Sequence, residues 1–138
     1  MHLYLDTSVV VAAITREAHT ERAHEILAGV ANLVISDWTV TEVSAALSLK
    51  QRLGGLPETD RHAALALFQQ LAEDSMVREH IGPADFLRAA QLADRPGVAV
   101  RAGDALHLAV VERVGATLTT FDTAMSRAAA ELGLSVLE

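Results

Sequence analysis

The chain has 138 residues, 51% of them hydrophobic and 21% charged, which suffices for one buried core and excludes a disordered chain. The net charge of −7 and the 4% aromatic content argue against a general nucleic-acid binder with a basic face and against base stacking on aromatic platforms. The absence of cysteine excludes thiol catalysis, disulfides and thiolate zinc sites.

The chain opens with an apolar stretch, residues 3–5, that leads into Asp6. Apolar residues without alternation predict a strand that is buried on both faces. Residues 9–15 are expected to form a short helix, although three consecutive valines also allow the strand to continue. The hydroxyls of Thr7 and Ser8 are expected to turn the chain and cap that helix.

The rest of the chain alternates between helices and strands. Further strands are predicted at residues 33–35, 76–80, 117–120 and 134–137, with a short extended piece at 98–100. Further helices are predicted at residues 20–30, 36–52, 57–74, 82–95, 104–114 and 122–132. This alternation predicts an α/β fold, a three-layer αβα sandwich around a parallel sheet of about five short strands.

Four carboxylates stand where strands of such a sheet would end. Asp6 follows the first strand, Glu42 lies just beyond the second, and Asp122 follows the fourth. Asp104 begins the helix that leads back to the fourth strand. Because a helix that leads into a parallel strand starts at the carboxyl edge of the sheet, Asp104 is expected at the same edge as the other acids. Because ligands bind at the carboxyl edge of a parallel sheet, we expect these four side chains to converge.

Each acid also has a simpler structural explanation, although its strength differs among the four. Asp104 and Asp122 occupy positions typical of helix N-caps, and residues 39–42 match a capping box. The capping box is less convincing for Glu42, because its helix is expected to begin several residues earlier. The structural explanation is weakest for Asp6, which has neither an exposed strand face nor an obvious basic partner nearby in the sequence. Capping does not explain why all four acids reach one edge.

Crowded carboxylates predict a cation site. Two carboxylates about 4 Å apart repel by about 4 kcal/mol at an effective dielectric constant near 20. Oxygen ligation suits Mg²⁺ or Mn²⁺, which also accept phosphate oxygens as ligands. Such an ion can activate a water molecule and stabilise the leaving oxygen of a phosphodiester.

Other metal and nucleotide sites are not supported. His19 and His24 are five residues apart and lie on different faces of a helix, and no His-Glu-x-x-His motif occurs, which excludes a zinc hydrolase of that type. His107 lies one turn after Asp104 and could face the site, but we expect it to pack or to support the acids. The glycines form no phosphate-binding loop.

Several residues near the predicted edge could meet a polyanionic substrate. Arg101 is the first candidate, because its loop must pass the edge of the sheet. Lys50, Arg52 and Arg127 are more readily explained as solvated surface charges. Trp38 is expected to pack rather than to stack on a base.

Short motifs in a fixed order cover nearly the whole chain: Leu5-Asp6-Thr7-Ser8, Thr41-Glu42-Val43, Gly103-Asp104-Ala105-Leu106-His107-Leu108-Ala109, Leu118-Thr119-Thr120-Phe121-Asp122 and Gly133-Leu134. In this order the chain resembles the PIN-domain family, and within it the small VapC-type toxins of bacterial toxin–antitoxin pairs. The resemblance implies a single nuclease domain over residues 1–138.

The resemblance further implies an endoribonuclease dependent on Mg²⁺ or Mn²⁺. It makes the four acids the catalytic and metal-binding cluster, with the hydroxyl of Thr120 in support; Thr7 and Ser8 are further supporting hydroxyls because they follow Asp6 directly. It also implies RNA as substrate, a homodimer, and a cognate antitoxin whose tail fills the acidic groove. Arg101 is the possible RNA contact, from its place before Asp104. Asp37 departs from the family pattern, in which a small or hydroxyl residue precedes Trp38, and its part in the site is left open.

The sequence is also compatible with two other functions. A binding module could keep the same fold and act through a partner protein without cutting RNA, although four retained acids count against it. A phosphatase acting on small phosphoesters is disfavoured, because Ser8 stands where an Asp-x-Asp motif would have its second acid. The sequence has no basic leader or bilayer-length apolar run, so we expect a cytoplasmic protein that does not bind membranes.

Overall fold

A computed structural model describes residues 1–29 and 31–137, and these form four strands and seven helices. In chain order they are β1 (His2–Leu5), α1 (Thr7–Ile14), α2 (Thr20–Leu27), β2 (Asn32–Ser36), α3 (Asp37–Arg52), α4 (Glu58–Ser75), β3 (Met76–Glu79), α5 (Pro83–Ala93), α6 (Ala102–Val114), β4 (Thr117–Thr119) and α7 (Thr123–Glu131). The predicted end of the second helix, at residue 30, lies outside the described residues.

The four strands form one parallel sheet in the order β3-β2-β1-β4. Tyr4 of β1 is paired with Val34 of β2 on one side and with Leu118 of β4 on the other. The chain moves from β1 towards β3 in one direction and returns with β4 on the opposite side of β1. The carboxyl ends of β1 and β4 therefore flank the switch point of the sheet, where α/β proteins bind ligands.

Both faces of the sheet are buried, because alternate side chains of a strand point to opposite sides. Leu3 and Leu5 join a core with helices α1 to α4, whereas Tyr4 joins a second core with α5, α6 and α7. This arrangement explains the unbroken apolar pattern of β1. The predicted three-layer αβα sandwich is confirmed.

The predicted fifth strand, residues 134–137, is the main difference in the sheet. Within the described residues it makes a single parallel bridge, between Val136 and Leu118. The backbone N–H of Leu118 donates to the carbonyl of Ser135 at 2.9 Å, and that of Leu137 donates to the carbonyl of Leu118 at 2.8 Å. Pairing through one residue is too short to count as a strand, so the described sheet has four strands rather than about five.

The cap of helix α1 and the segment 98–100 also differ from the sequence prediction. Helix α1 begins at Thr7, and Asp6 rather than Thr7 or Ser8 is its N-cap, accepting from the backbone N–H of Ser8 at 3.4 Å. Burial of the valines outweighs their modest helix propensity. Residues 98–100 form no strand in the described part of the chain. Among the described helices, none combines the length and apolar character that a bilayer crossing requires.

Candidate active site

Asp6 directly follows β1 at the switch point and is 5% exposed. Its Oδ2 atom accepts hydrogen bonds from Ser8 Oγ at 2.7 Å and from Thr120 Oγ1 at 2.8 Å. Its Oδ1 atom lies 3.8 Å from His107 Nε2. A buried ionised carboxylate needs such donors or a cation, because leaving it uncompensated costs several kcal/mol. The hydroxyls of Ser8 and Thr120 therefore satisfy Asp6 Oδ2, whereas Asp6 Oδ1 is directed towards His107.

Glu42 reaches the same place from the second turn of α3. Its Oε1 atom accepts a hydrogen bond from Thr7 Oγ1 at 2.8 Å and contacts His107 Nε2. Burial alone would raise the pKa of Glu42, but the contacts with His107 and Thr7 together outweigh burial and hold this pKa below its ordinary value. The capping box of α3 is made by Ser36 and Thr39. Glu42 is thus not used as a cap.

His107 lies fully buried beneath the two carboxylates, in the second turn of α6. Its Nδ1 atom is 2.7 Å from the hydroxyl of Tyr4, which in turn donates to Ser36 Oγ at 2.8 Å. One ligand atom each from Asp6, Glu42 and His107 lies within 4.8 Å of the other two. These three side chains form a compact group, which we call the Asp6–Glu42–His107 cluster.

Asp104 and Asp122 lie beside this cluster and share one arginine. Arg101 Nε is 4.0 Å from Asp104 Oδ2, and an Nη atom of Arg101 is 3.9 Å from Asp122 Oδ2. Burial, followed by the negative charges of Asp6 and Asp122, raises the pKa of Asp104 above its ordinary value. Asp104 is therefore repelled by Asp6 and Asp122, while Arg101 lies near enough to offset part of the negative charge.

Of Asp104 and Asp122, both expected at helix N-caps, only Asp122 is a cap. Asp122 is the N-cap of α7, and its Oδ1 atom accepts from the backbone N–H groups of Ala124 at 2.9 Å and Met125 at 3.2 Å. Its Oδ2 atom remains on the side of Arg101. Asp104 is not a cap, because α6 begins at Ala102 and places Asp104 in its first turn.

The supporting hydroxyls connect the ends of β1 and β4. Thr120 Oγ1 donates to Asp6 Oδ2 and accepts from the backbone N–H of Asp122 at 3.0 Å. Ser8 Oγ accepts from the backbone N–H of Phe121 at 3.0 Å while it donates to Asp6. Thr7, Ser8 and Thr120 are therefore all in contact with the acids or with the loop that carries them.

The N-terminal turns of α3 and α6 approach closely at Gly103. A Cβ atom at this position would lie 3.2 Å from Trp38 Nε1 and 3.5 Å from Glu42 Oε2. Trp38 packs against the core on the α6 side of the sheet, as expected, and its buried indole N–H has no hydrogen-bond partner among the described residues. Gly103 therefore allows the helix that carries Asp104 to approach the helix that carries Glu42.

Asp37, whose role the sequence left open, is bound to β3 and the segment that follows it. It accepts from Arg78 Nε at 2.7 Å and from the backbone N–H of Ile81 at 3.0 Å, and it lies 3.3 Å from His80 Nδ1. Burial would raise the pKa of Asp37, but these partners together lower it. Arg78 therefore offsets its charge.

Arg101 sits at the mouth of the site, with 84% of its side chain exposed. It borders a hollow of about 400 Å³ that also includes Asp104 and Met125. A larger groove of about 780 Å³ is formed by helices α1 to α4 and contains Arg16, His24 and Lys50, but none of the four acids. The acidic site is thus open on the α6–α7 side.

The sequence indicated that His107 could face the site in a packing or supporting role, but it did not indicate that His107 contacts Glu42 or that Tyr4 takes part. The one available signal was the spacing of Asp104 and His107, because residues three apart lie on the same face of a helix. The partners of His107 come from β1 and α3. Tyr4 looked like one more apolar strand residue, and only the sheet order shows that its hydroxyl meets α3 and α6.

The comparisons with known proteins bear on the family and the fold. Residues 3–131 match the PIN domain family. No curated protein sequence gives a significant match. Several solved structures have the same fold, at sequence identities that support the fold alone.

One is VapC20 from Mycobacterium tuberculosis, a sarcin-ricin loop cleaving toxin, which is 20% identical over 99% of this chain and 98% of that chain, with a TM-score of 0.75. VapBC2 from Rickettsia felis, bound to a DNA fragment from its promoter, is 19% identical over 100% and 98% of the two chains, with a TM-score of 0.70. FitAcB from Neisseria gonorrhoeae is 20% identical over 99% and 96%, with a TM-score of 0.67. The family match spans nearly the whole described sandwich, including every strand, the four acids and their supporting hydroxyls, and this chain therefore belongs to the PIN domain family.

Proposed function

We propose that this protein is a metal-dependent endoribonuclease and the toxin of a toxin–antitoxin pair. The observation that carries the proposal is the meeting of acids from separate parts of the chain at the switch point of the sheet: Asp6 and Glu42 lie together at His107, and the charges of Asp6 and Asp122 act on Asp104. Membership of the PIN family and the structural likeness to VapC20, a toxin that cleaves the sarcin-ricin loop, support it. Asp6, Glu42, Asp104 and Asp122 are the proposed catalytic and metal-binding residues.

The donor set fits a hard divalent ion. Carboxylate oxygens dominate it, and the raised pKa of Asp104, caused by burial and then by Asp6 and Asp122, indicates a site that favours added positive charge. When bound, Mg²⁺ or Mn²⁺ would polarise a phosphate oxygen and make an attacking water molecule more acidic. The proposed holders of the ion are the four acids, with Asp6 as the most buried of them.

The chain's own side chains would prepare the site in three ways. Ser8 and Thr120 hold one oxygen of Asp6 and leave the other directed into the site. Thr7 fixes the rotamer of Glu42 through its hydroxyl. The exposed guanidinium of Arg101 would meet an RNA phosphate at the mouth of the site, where it is already near two carboxylates. RNA would then be bound through phosphate contacts and shape rather than by base stacking.

The test is cleavage of total cellular RNA by purified protein with Mg²⁺ or Mn²⁺, with EDTA, and after Asp6→Asn. We expect EDTA to abolish cleavage and Asp6→Asn to lower its rate by at least about 100-fold, in the range of other electrostatic catalytic groups. The matched control is Asp94→Asn, which removes one exposed carboxylate at the C-terminal end of α5 and should leave the rate unchanged.

Three results would count against the proposal. Cleavage that survives EDTA or the Asp6 substitution would show that the acids do not carry the reaction. An intact, metal-binding protein that cuts no RNA under any condition would favour the non-catalytic binding module. Faster turnover of a chromogenic phosphomonoester than of RNA would favour a phosphatase.

We also propose an antitoxin partner, a homodimer and a cytoplasmic location. The VapBC2 and FitAcB structures are complexes from the same fold class, which supports a protein partner for this chain. Light scattering of the purified protein measures the oligomeric state, and a mass corresponding to one chain at micromolar concentration would exclude a stable homodimer.

A further inference from the structure

The hollow beside the acidic site, on the side of α6 and α7, is lined mainly by small aliphatic side chains. Its apolar residues come from the segment before α6 and from the first turns of α7: Ala99, Val100, Ala124, Met125 and Ala128. Met125 and Ala128 are buried beneath it, whereas Ala99 and Ala124 are exposed at its rim. We call this feature the α6–α7 hollow.

Two charged residues of the lining, Arg101 and Asp104, join the α6–α7 hollow to the acidic site. The guanidinium of Arg101 lies 4.0 Å from Asp104 Oδ2 and 3.9 Å from Asp122 Oδ2, and 84% of the side chain is exposed. A phosphate that binds Arg101 would therefore lie between the acids and the hollow. The base attached to that phosphate through its ribose would be within reach of the hollow.

The size and apolar lining of the hollow suit a single nucleobase. Its volume is about 400 Å³, within the range of about 300–1,000 Å³ for pockets that hold small molecules. A base has two apolar faces, and aliphatic side chains bury such faces favourably. No aromatic ring is among the described residues that line the hollow, so a base there would be held by aliphatic contacts rather than by stacking on a ring.

The backbone of Ala99 and Val100 supplies the polar groups that the edge of a base requires. The extended piece predicted at residues 98–100 pairs with no strand in the described part of the chain. The N–H and C=O groups of Ala99 and Val100 make no hydrogen bond to another described residue. Each residue offers one donor and one acceptor, and pockets for small molecules commonly combine apolar walls with a few such backbone groups.

We propose that the α6–α7 hollow receives an unstacked base of the RNA substrate, from a nucleotide beside the phosphate that is cut. This inference rests on the proposed function, because it takes RNA to be the substrate. A base can enter such a pocket only after it leaves its stacked and paired position, which is easiest in loops and single strands. The hollow therefore imposes a requirement for an unpaired nucleotide, which contacts to phosphates alone do not impose.

The first experiment observes Met125 in the full chain with Mg²⁺ present. The chain has three methionines, so labelling of methionine methyl groups gives separate NMR signals for Met1, Met76 and Met125. The probe is adenosine monophosphate, which carries a base and a phosphate but no phosphodiester bond to cut. We expect the ring of the base to shift the Met125 signal and to leave Met1 and Met76 unchanged. Ribose phosphate, which lacks the base, should not shift Met125.

Variants that fill the hollow test where the base binds. Ala124→Leu places a larger side chain at the exposed rim, and we expect it to raise the dissociation constant for adenosine monophosphate by about tenfold. Ala130→Leu is the matched control, because it makes the same change at an exposed position of α7 outside the hollow, and it should leave the dissociation constant unchanged. If Ala124→Leu does not fold, Ala99→Leu fills the hollow from the segment before α6.

The second experiment tests the hollow during cleavage. In a stem–loop RNA that the protein cuts, each loop nucleotide is replaced in turn by an abasic one, which keeps the ribose and the phosphate. At one position beside the cut, we expect removal of the base to lower kcat/KM by about tenfold in the wild type and in Ala130→Leu. The same removal should have no further effect in Ala124→Leu, because the base and the hollow act as one contact.

The outcomes separate this proposal from the nuclease proposal. A Met125 signal that adenosine monophosphate does not move, or that ribose phosphate moves equally, overturns the hollow as a base site and leaves the nuclease proposal standing. An abasic effect that is as large in Ala124→Leu as in the wild type also overturns it, because the base then binds elsewhere. A base-dependent Met125 shift in a protein that cuts no RNA supports the base site and overturns the nuclease.

Discussion

Thr120 connects two of the acids through a single hydroxyl. It donates to Asp6 Oδ2 at 2.8 Å and accepts from the backbone N–H of Asp122 at 3.0 Å. Thr120→Val keeps the shape of the side chain and removes both bonds. We expect a loss of about 1–3 kcal/mol in the free energy of unfolding, because hydrogen bonds to charged groups are the stronger ones.

Chemical denaturation at pH 7 measures this effect. Thr120→Ser is the control, because it restores the hydroxyl and loses only a methyl group. A Thr120→Val protein as stable as Thr120→Ser would show that Ser8, the other donor to Asp6 Oδ2, suffices alone.

Asp104 shows how charge crowding affects stability. Burial and the charges of Asp6 and Asp122 raise its pKa in the folded protein, so the folded protein holds this proton more tightly than the unfolded chain does. Ionisation of Asp104 therefore destabilises the fold at pH values above the raised pKa, and this penalty disappears as the pH falls below the ordinary value for aspartate.

We expect Asp104→Asn to raise the melting temperature of the metal-free protein at pH 7 by on the order of 1–3 °C. The gain should shrink towards pH 3, where the wild-type carboxyl is also neutral. Melting curves in EDTA at both pH values provide the measurement. A lower melting temperature for the variant at pH 7 would mean that attraction to Arg101 and to the N-terminus of α6 outweighs the repulsion.

At the scale of elements, Arg113 joins β3, α5 and α6. Its guanidinium donates to Asp85 Oδ1 at 2.8 Å, to Glu79 Oε2 at 3.2 Å and to the carbonyl of His80 at 3.2 Å. Burial would raise the pKa of Asp85, but Arg113 and the N–H of Gly82 outweigh it and lower this pKa. The resulting stabilisation is present above the ordinary pKa of aspartate and is lost as the pH falls through the lowered value.

Arg113→Gln should therefore destabilise the protein by about 1–2 kcal/mol at pH 7. This value is below that for a fully buried pair, because 41% of the Arg113 side chain is exposed. The loss should become smaller near pH 2–3. Lys50→Gln, which breaks an exposed pair with Glu17, should cost less than about 0.5 kcal/mol in the same denaturation experiment. A cost for Arg113→Gln that does not depend on pH would point to lost packing instead.

Helices and strands whose position is determined by the local pattern of apolar and turn residues were predicted correctly from the sequence. The double-sided burial of β1 follows from Leu3, Tyr4 and Leu5 being apolar on both faces, and Gly115, with φ of 66°, ends α6 as expected. The segment at 134–137 was misjudged, because its apolar pattern does not reveal how many residues pair with β4. Pairing length depends on the path of the whole chain.

The candidate site was predictable as a set of strand ends, but not as a set of contacts. Asp6, Glu42, Asp104 and Asp122 could be assigned to one edge by topology alone. The contact between His107 and Glu42 joins α6 to α3, and it depends on the close approach that Gly103 permits. No local periodicity encodes such an approach, so His107 was expected only to pack or to support.

At the scale of the whole molecule, the acids at the switch point combine with a net charge of −7. A divalent ion would relieve both the local crowding and the general excess of negative charge, but these effects depend differently on salt. Specific binding at the proposed site would follow mass action and would require Asp6, whereas general screening requires only ionic strength.

We expect Mn²⁺ or Mg²⁺ at about ten times its dissociation constant to stabilise the protein by about 1.4 kcal/mol, which raises the melting temperature by about 3–6 °C. NaCl at the same ionic strength should raise the melting temperature less than the divalent salt does. In Asp6→Asn the divalent salt and NaCl should give equal shifts, whereas Asp94→Asn should keep the larger shift with the divalent salt. Differential scanning fluorimetry across titrations of each salt measures these melting temperatures. If NaCl reproduced the whole shift, the ions would be acting on the net charge of −7 rather than on a site, because screening does not distinguish one carboxylate from another.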